Sequence, residues 1–285
     1  MRKIFPKIIE KLMKKNKRIF CLLGDIGVFS FNNVFKNYKN RILNMSTMEQ
    51  SMIGFAAGLA KTGYIPVIHS ISPFLILRAL EQIKIDFVYN KLNCNLVTVG
   101  ASNDYAQLGV THHCYEDISV LSNYKKINIF IPSNPEEFSY LFEANYKNGC
   151  VNYFRLSDQN NKNVIKNNSF IKLTNQNKLI ICVGNSINPS VFINKKIDIY
   201  YINSIKTDLN INFVKKYKKI IIIEPFFGNI LERIIREKRF LNKEIFTISY
   251  KETIIHKYGN KKQQDTYLKF NEEEIIKKVN DFTKI

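Results

Sequence analysis

The chain has 285 residues, 45% of them hydrophobic and 24% charged, with a formal net charge of +19 at pH 7. That composition marks a globular rather than a disordered chain, and the length is enough for a sizeable core in one or two domains. The charge invites a nucleic-acid reading. Lysine, however, accompanies asparagine and isoleucine along the whole sequence and forms no basic stripe with interleaved aromatics, so it reads as a bias in residue usage, and no nucleic-acid partner is expected. No apolar run is long enough to span a bilayer, so no membrane partner is expected either. The five cysteines, Cys21, Cys94, Cys114, Cys150 and Cys182, are scattered without a C-x-x-C pair, which argues against a disulfide framework or structural zinc.

In chain order, residues 1–18 are basic, with Phe5, Ile8, Ile9 and Leu12 at helical spacing, and predict an amphipathic first helix. They lack the apolar stretch and cleavage site of a signal peptide, so a cytoplasmic chain is expected. Strands are expected over 18–23, ending on Gly24-Asp25-Ile26-Gly27, and over 41–45. A helix rich in small residues follows over 47–62, then a strand over 64–70. One helix is expected over 73–89, with Ile76, Ala79, Leu80, Ile83 and Phe87 inward. Strands over 94–100 and 127–131, a helix over 135–148 and a strand over 152–156 close the first run. Residues 158–176 are polar and asparagine-rich and read as a linker or surface crossing. A second alternation then brings strands at 178–183, 197–202, 220–224 and 244–249, with helices at 228–239 and 271–282. Strands alternating with helices imply an α/β protein of two domains with largely parallel sheets flanked by helices, at 1–160 and 178–285, joined by a linker at 161–177.

The chemistry concentrates around Glu49, which opens the helix of small residues. Ser46-Thr47-Met48-Glu49 fits a capping box, in which Glu49 would only tie back to a backbone N–H. Met45, Met48, Met52 and Phe55 would instead surround the carboxyl with apolar groups, a setting that favours a neutral acid. A neutral acid can share a proton with a ring nitrogen of a bound heterocycle. Taken alone, the residues leave both readings open.

Asn44-Met45-Ser46-Thr47-Met48-Glu49-Gln50, followed by the Gly/Ala-rich helix, resembles the pyrimidine-binding domain of thiamine-diphosphate enzymes of the transketolase family. Three more segments agree in order and rough spacing: Gly24-Asp25-Ile26-Gly27, His69-Ser70-Ile71-Ser72-Pro73-Phe74 with Arg78-Ala79-Leu80-Glu81-Gln82, and Gly109-Val110-Thr111-His112-His113-Cys114-Tyr115-Glu116-Asp117. The likeness is closest to the C-terminal section of a split transketolase. It covers 19–156 well and the rest weakly, through strand order and Ile223-Glu224-Pro225.

The resemblance implies a transketolase-like enzyme that moves a two-carbon ketol unit from a ketose to an aldehyde. Glu49 takes the place of the glutamate that hydrogen-bonds the aminopyrimidine of thiamine diphosphate and favours the tautomer that deprotonates the thiazolium. Phe74 matches the aromatic on which that ring stacks, with Leu77 on the same wall and Asp25 and Ile26 in the turn lining the pocket; Asp25 could equally be a helix N-cap. His112 matches a histidine that contacts substrate oxygens and relays protons, with His113 as a supporting neighbour. His69 and Arg155 are further candidates toward substrate. Family members bind the diphosphate through Mg²⁺ held by a Gly-Asp-Gly segment and a downstream asparagine, and no Gly-Asp-Gly occurs here. The resemblance therefore implies a partner subunit carrying the diphosphate and metal site, in a symmetric α2β2 assembly.

Some positions depart from the family pattern. Leu108 stands where a donor-hydroxyl aspartate is expected, a substrate histidine of the full-length enzymes would fall near Gly100, and Asp158 stands where many relatives carry an arginine that grips the acceptor phosphate. These departures point away from ordinary pentulose phosphates and toward an unphosphorylated or nucleotide-linked sugar. The β subunit of a 2-oxoacid dehydrogenase E1 component, or a deoxyxylulose-phosphate-synthase-like reaction, is the enzymatic alternative. A basic nucleic-acid-binding or regulatory protein is the non-enzymatic one.

Overall fold

The basic N-terminal segment folds into α1 (Phe5–Lys15), with Phe5, Ile8, Ile9 and Leu12 buried and Lys7, Lys11, Lys14 and Lys15 exposed. The structure, a computed structural model, describes residues 1–206, 208–240, 242–251 and 254–284. After α1 come β1 (Ile19–Leu23), α2 (Asn32–Tyr38), β2 (Ile42–Asn44), α3 (Glu49–Lys61) and β3 (Ile65–Ile71). The single helix expected over 73–89 is instead a π-helical turn at Pro73–Arg78, a short α4 (Leu80–Gln82) and a second π-helical turn at Ile83–Tyr89. Such widened turns are rare and gather at functional sites. Next come β4 (Cys94–Val99), α5 (Asp117–Leu121), β5 (Ile127–Phe130), α6 (Pro135–Asn145) and β6 (Val151–Arg155). Pro135 opens α6, and the Asn134 side chain caps it by accepting from the Glu137 N–H at 2.9 Å.

The second half holds β7 (Ser169–Lys172), β8 (Lys178–Val183), β9 (Asp198–Ile202), β10 (Ser204–Ile205), β11 (Lys219–Glu224), α7 (Ile230–Glu237), β12 (Glu244–Ser249), α8 (Lys261–Tyr267) and α9 (Glu272–Lys284). A seven-stranded sheet runs β10-β5-β6-β4-β3-β1-β2 and a five-stranded sheet runs β12-β11-β8-β9-β7. Pairing is parallel throughout except at β10–β5 and β7–β9, which are antiparallel edge additions. The expected α/β class with largely parallel sheets therefore holds. Two details of the sheets add to the expected organisation. The 161–177 linker contains the edge strand β7, and β10 crosses from the second half to pair with the first sheet.

One face of the first sheet packs against α1, α2 and α6 through Phe5, Phe31, Val34, Phe138 and Phe142. The other face meets α3, the 73–89 segment and α5, and its core runs on through Ile181, Ile220 and Ile222 of the second sheet. The two sheets thus share a continuous apolar layer, and loops at the C-terminal ends of β1, β3 and β4 meet beside it. In open parallel sheets that end is where ligands bind. Among the described residues no helix is long and apolar enough to cross a membrane.

Candidate active site

The capping box does not form. Ser46 has a left-handed backbone (φ 54°), and Met48 precedes the helix without a side-chain cap. Glu49 instead turns inward, its side chain fully buried. Its Oε1 accepts from Ser70 Oγ on β3 at 2.9 Å, and its Oε2 accepts from Arg78 Nη1 at 2.8 Å. Gly24, at the end of β1, makes room for this: a Cβ there would lie 2.7 Å from Ser70 Oγ. The expected apolar enclosure forms only in part. Met52 is buried, but Met48 and Phe55 are exposed, so the group facing the carboxyl is a guanidinium.

Asp25 is also left-handed (φ 56°) and caps no helix. Its Oδ1 accepts from Asn44 Nδ2 at 2.9 Å, while its own N–H donates to Asn44 Oδ1 at 3.0 Å. Asn44 Oδ1 also accepts from the Ser46 N–H at 3.3 Å. One asparagine thus fastens the β1 turn to the segment leading into Glu49. Ile26 is half-buried against the core under α1.

Phe74 and Arg78 lie on the first π-helical turn. The Arg78 Cζ sits 4.4 Å from the Phe74 ring centroid, a cation–π contact. The edge of Phe74 meets His112 at 5.2 Å between centroids and 74° between planes. His112 is half-buried on the 3₁₀ turn Val110–His112, with Thr111 Oγ1 3.0 Å from its Nδ1. Desolvation holds its pKa below the usual histidine value. Glu49, Phe74 and His112 therefore stand in one contiguous row, with Arg78 between the first two. Leu77, half-buried, packs against the main core.

Two candidates belong to the fold instead. His69 is buried between β3 and α1, its ring 5.0 Å from Phe5 and 6.2 Å from Phe31, with Nδ1 2.8 Å from the Val97 carbonyl. Burial pushes its pKa down to about 4, and almost none of its surface is exposed. Arg155 is equally enclosed. Its Nε donates to Asp117 Oδ2 at 2.7 Å and its Nη2 to Ser102 Oγ at 2.9 Å and the Cys114 carbonyl at 3.1 Å. Tyr153 donates to the same Asp117 oxygen at 2.6 Å, and Ser102 donates to the Pro225 carbonyl at 2.6 Å. This network fixes the loop carrying His112 and ties it to the second sheet. His113 is buried behind His112 and lines a cavity of about 520 Å³ with Val110, Tyr115, Glu116 and Phe227. It stands off the row.

Sequence reasoning missed Arg78, Ser70 and Asn44 as parts of the site. Arg78 had a signal: it lies four residues after Phe74, a spacing that puts two side chains on one helical face. A buried carboxyl beside a half-buried aromatic face suits the planar amino-heterocycle of thiamine, and Glu49 and Phe74 would hold it. No group of three or more His, Cys, Asp or Glu side chains gathers among the described residues as a metal would require.

Residues 1–163 match the family described as "Transketolase, pyrimidine binding domain". The chain belongs to that family. Curated members share partial matches with it. A protein named "Uncharacterized 33.6 kDa protein in fasciation locus", from Rhodococcoides fascians, is 34% identical over 159 residues, 55% of this chain and 51% of that one. A protein of Actinobacillus succinogenes named as one of the subunits of apulose-4-phosphate transketolase is 42% identical over 102 residues, 36% of this chain and 33% of that one. The chain spans about half or less of the length of these relatives. A solved structure described as "Split gene transketolase, inactive beta4 tetramer" superposes with a TM-score of 0.82 at 17% identity, covering 98% of this chain and 96% of the other. At that identity the likeness is one of fold, and both sheets of the transketolase fold are matched.

Proposed function

We propose that this chain is the pyrimidine-binding subunit of a thiamine-diphosphate-dependent, transketolase-like enzyme that transfers a two-carbon ketol unit from a ketose to an aldose or related aldehyde, in specialised sugar metabolism. The observation that carries this reading is the enclosed Glu49 carboxyl beside the Phe74 ring, in a chain of this family. Residues 1–160 form the pyrimidine-binding domain, 161–177 the connection, and 178–285 a C-terminal domain that supports association. The diphosphate and Mg²⁺ are held by a companion chain, in an α2β2 heterotetramer. The naming of the Actinobacillus relative as one subunit among others and the split-gene description of the structural neighbour support a companion. The five free cysteines, four of them buried, suit the reducing cytoplasm.

Thiamine diphosphate, when bound, supplies a nucleophilic carbon and an electron sink. Glu49 would hydrogen-bond the pyrimidine nitrogen, and Phe74 would orient the ring by stacking, with Leu77, Asp25 and Ile26 shaping the wall. His112, whose pKa desolvation lowers, would contact substrate oxygens and relay protons to and from them. Leu108 and Asp158, at positions where family members carry donor- and phosphate-binding side chains, favour an unphosphorylated or nucleotide-linked acceptor; ketol transfer to ribose 5-phosphate at ordinary efficiency would remove that part.

The test is co-expression with the companion chain, followed by thiamine-diphosphate-dependent turnover of hydroxypyruvate and of branched 2-oxoacids with a lipoyl domain. Ketol transfer from hydroxypyruvate is expected. Turnover confined to the oxoacids would assign the chain to a dehydrogenase, and full activity in Glu49→Ala would overturn the site.

A further inference from the structure

Glu49 and Phe74 offer a heterocycle a carboxyl and an aromatic face, and in the structure one side chain already uses both. The Arg78 guanidinium donates from Nη1 to Glu49 Oε2 at 2.8 Å and lies with Cζ 4.4 Å from the Phe74 centroid. A guanidinium is planar, carries N–H donors around an N–C–N unit and stacks on rings. An aminopyrimidine presents the same amidine-like N–C–N edge and the same flat face. The two partners differ in freedom. The Arg78 side chain is 44% exposed and that of Glu49 is 0% exposed, so the arginine can leave while the carboxyl, held by Ser70 from β3, stays. Both Phe74 and Arg78 lie on the widened turn Pro73–Arg78, whose Leu75 and Ile76 face the core while Arg78 stays exposed.

Resting on the cofactor reading given under Proposed function, we propose that Arg78 stands in for the aminopyrimidine. It keeps Glu49 and Phe74 in place in the cofactor-free chain and is displaced from Glu49 when thiamine diphosphate enters. Arg78 is then a positioning residue whose hold on Glu49 opposes cofactor binding. Removing it leaves the carboxyl and the ring face open, and weakens the cofactor-free chain by stripping a buried carboxyl of its cation.

The experiment is calorimetric titration of thiamine diphosphate into the chain assembled with its companion, for the wild type, Arg78→Met and Arg78→Lys, with urea unfolding of each chain alone. Arg78→Met is expected to bind about tenfold tighter, ~1.4 kcal/mol, and to unfold at lower urea than the wild type. Arg78→Lys, which keeps the charge and loses the plane, is expected between the two. Equal or weaker cofactor binding by Arg78→Met would overturn the proposal, because Arg78 would then be a bystander or part of the loaded site. An assembled wild type that binds no thiamine diphosphate would overturn the cofactor reading itself, and that failure is visible without any variant.

Discussion

Asp117→Asn is the perturbation that most sharply separates a structural Arg155 from a substrate-binding one. Both side chains of the pair are essentially inaccessible, at 1% and 0% exposure. The Asp117 Oδ2 that receives Arg155 Nε at 2.7 Å also receives the Tyr153 hydroxyl at 2.6 Å. Asparagine preserves the volume but removes the charge, and an amide nitrogen turned toward Arg155 would set donor against donor. Breaking one partner of a buried pair costs about 3–5 kcal/mol, against a total stability of about 5–15 kcal/mol. With a urea slope of about 3 kcal/mol/M, the unfolding midpoint should fall by roughly 1–1.7 M. Removing both charges in Asp117→Asn/Arg155→Met should recover part of the loss, with a coupling of about 2 kcal/mol. The assay is urea unfolding followed by circular dichroism on all four chains of the cycle. An Asp117→Asn midpoint equal to wild type would refute the reasoning. So would an Arg155→Met chain of native stability whose only change is a higher KM, since the arginine would then be free to meet substrate.

Three other outcomes follow from the same geometry. Gly24→Ala places a Cβ within 2.7 Å of Ser70 Oγ, so it should cost about 1–3 kcal/mol by overpacking and loosen the Glu49 carboxyl, read as a lower melting temperature together with weaker cofactor binding. His69 is held at about 4 by burial against an unfolded value of 6.5. The unfolded chain therefore takes up a proton that the folded chain refuses, so stability is fully present above pH 6.5 and is lost as pH falls toward 4. That contribution is about 3 kcal/mol, and His69→Asn should flatten this part of an acid titration of unfolding free energy. Phe74→Ala removes both the cation–π surface under Arg78 and the edge contact to His112; it should weaken thiamine-diphosphate affinity about tenfold or more, while the fold, resting on a core to which Phe74 contributes little, stays intact by circular dichroism.

The alternating strands and helices were legible because parallel strands read as apolar runs, as in 94–99 and 219–224, and because α1 carries a clean helical stripe. Two edge strands were not. β7 carries only half-buried residues in a polar stretch, and β10 is two residues long. The π-helical turns escaped for a related reason: the inward positions of 73–89 satisfy a 3.6-residue period well enough, and a locally widened turn leaves no composition of its own. At the site, the motifs singled out Glu49, Phe74 and His112, and the fold sets these three side chains in a row through Arg78. Local pattern misled where a long-range partner decided the outcome. Ser46-x-x-Glu49 looks like a cap, but Ser70, 21 residues away, and Arg78, 29 residues away, draw the carboxyl inward. Arg155 looked available until Asp117, 38 residues earlier in the chain, enclosed it. His69 sits on a strand buried along nearly its whole length, where a histidine takes a backbone partner and loses its access.

The most direct measurement is thiamine-diphosphate-dependent ketol transfer by Glu49→Gln assembled with the companion chain, compared with wild type at saturating cofactor. Glutamine keeps the length of the side chain and an oxygen for Ser70, and removes the carboxylate oxygen that faces Arg78. Turnover should fall by about 10²-fold or more, with the assembly less stable but still folded at the assay temperature by circular dichroism. Wild-type turnover in that variant would contradict the account, because the enclosed carboxyl would then have no part in the reaction.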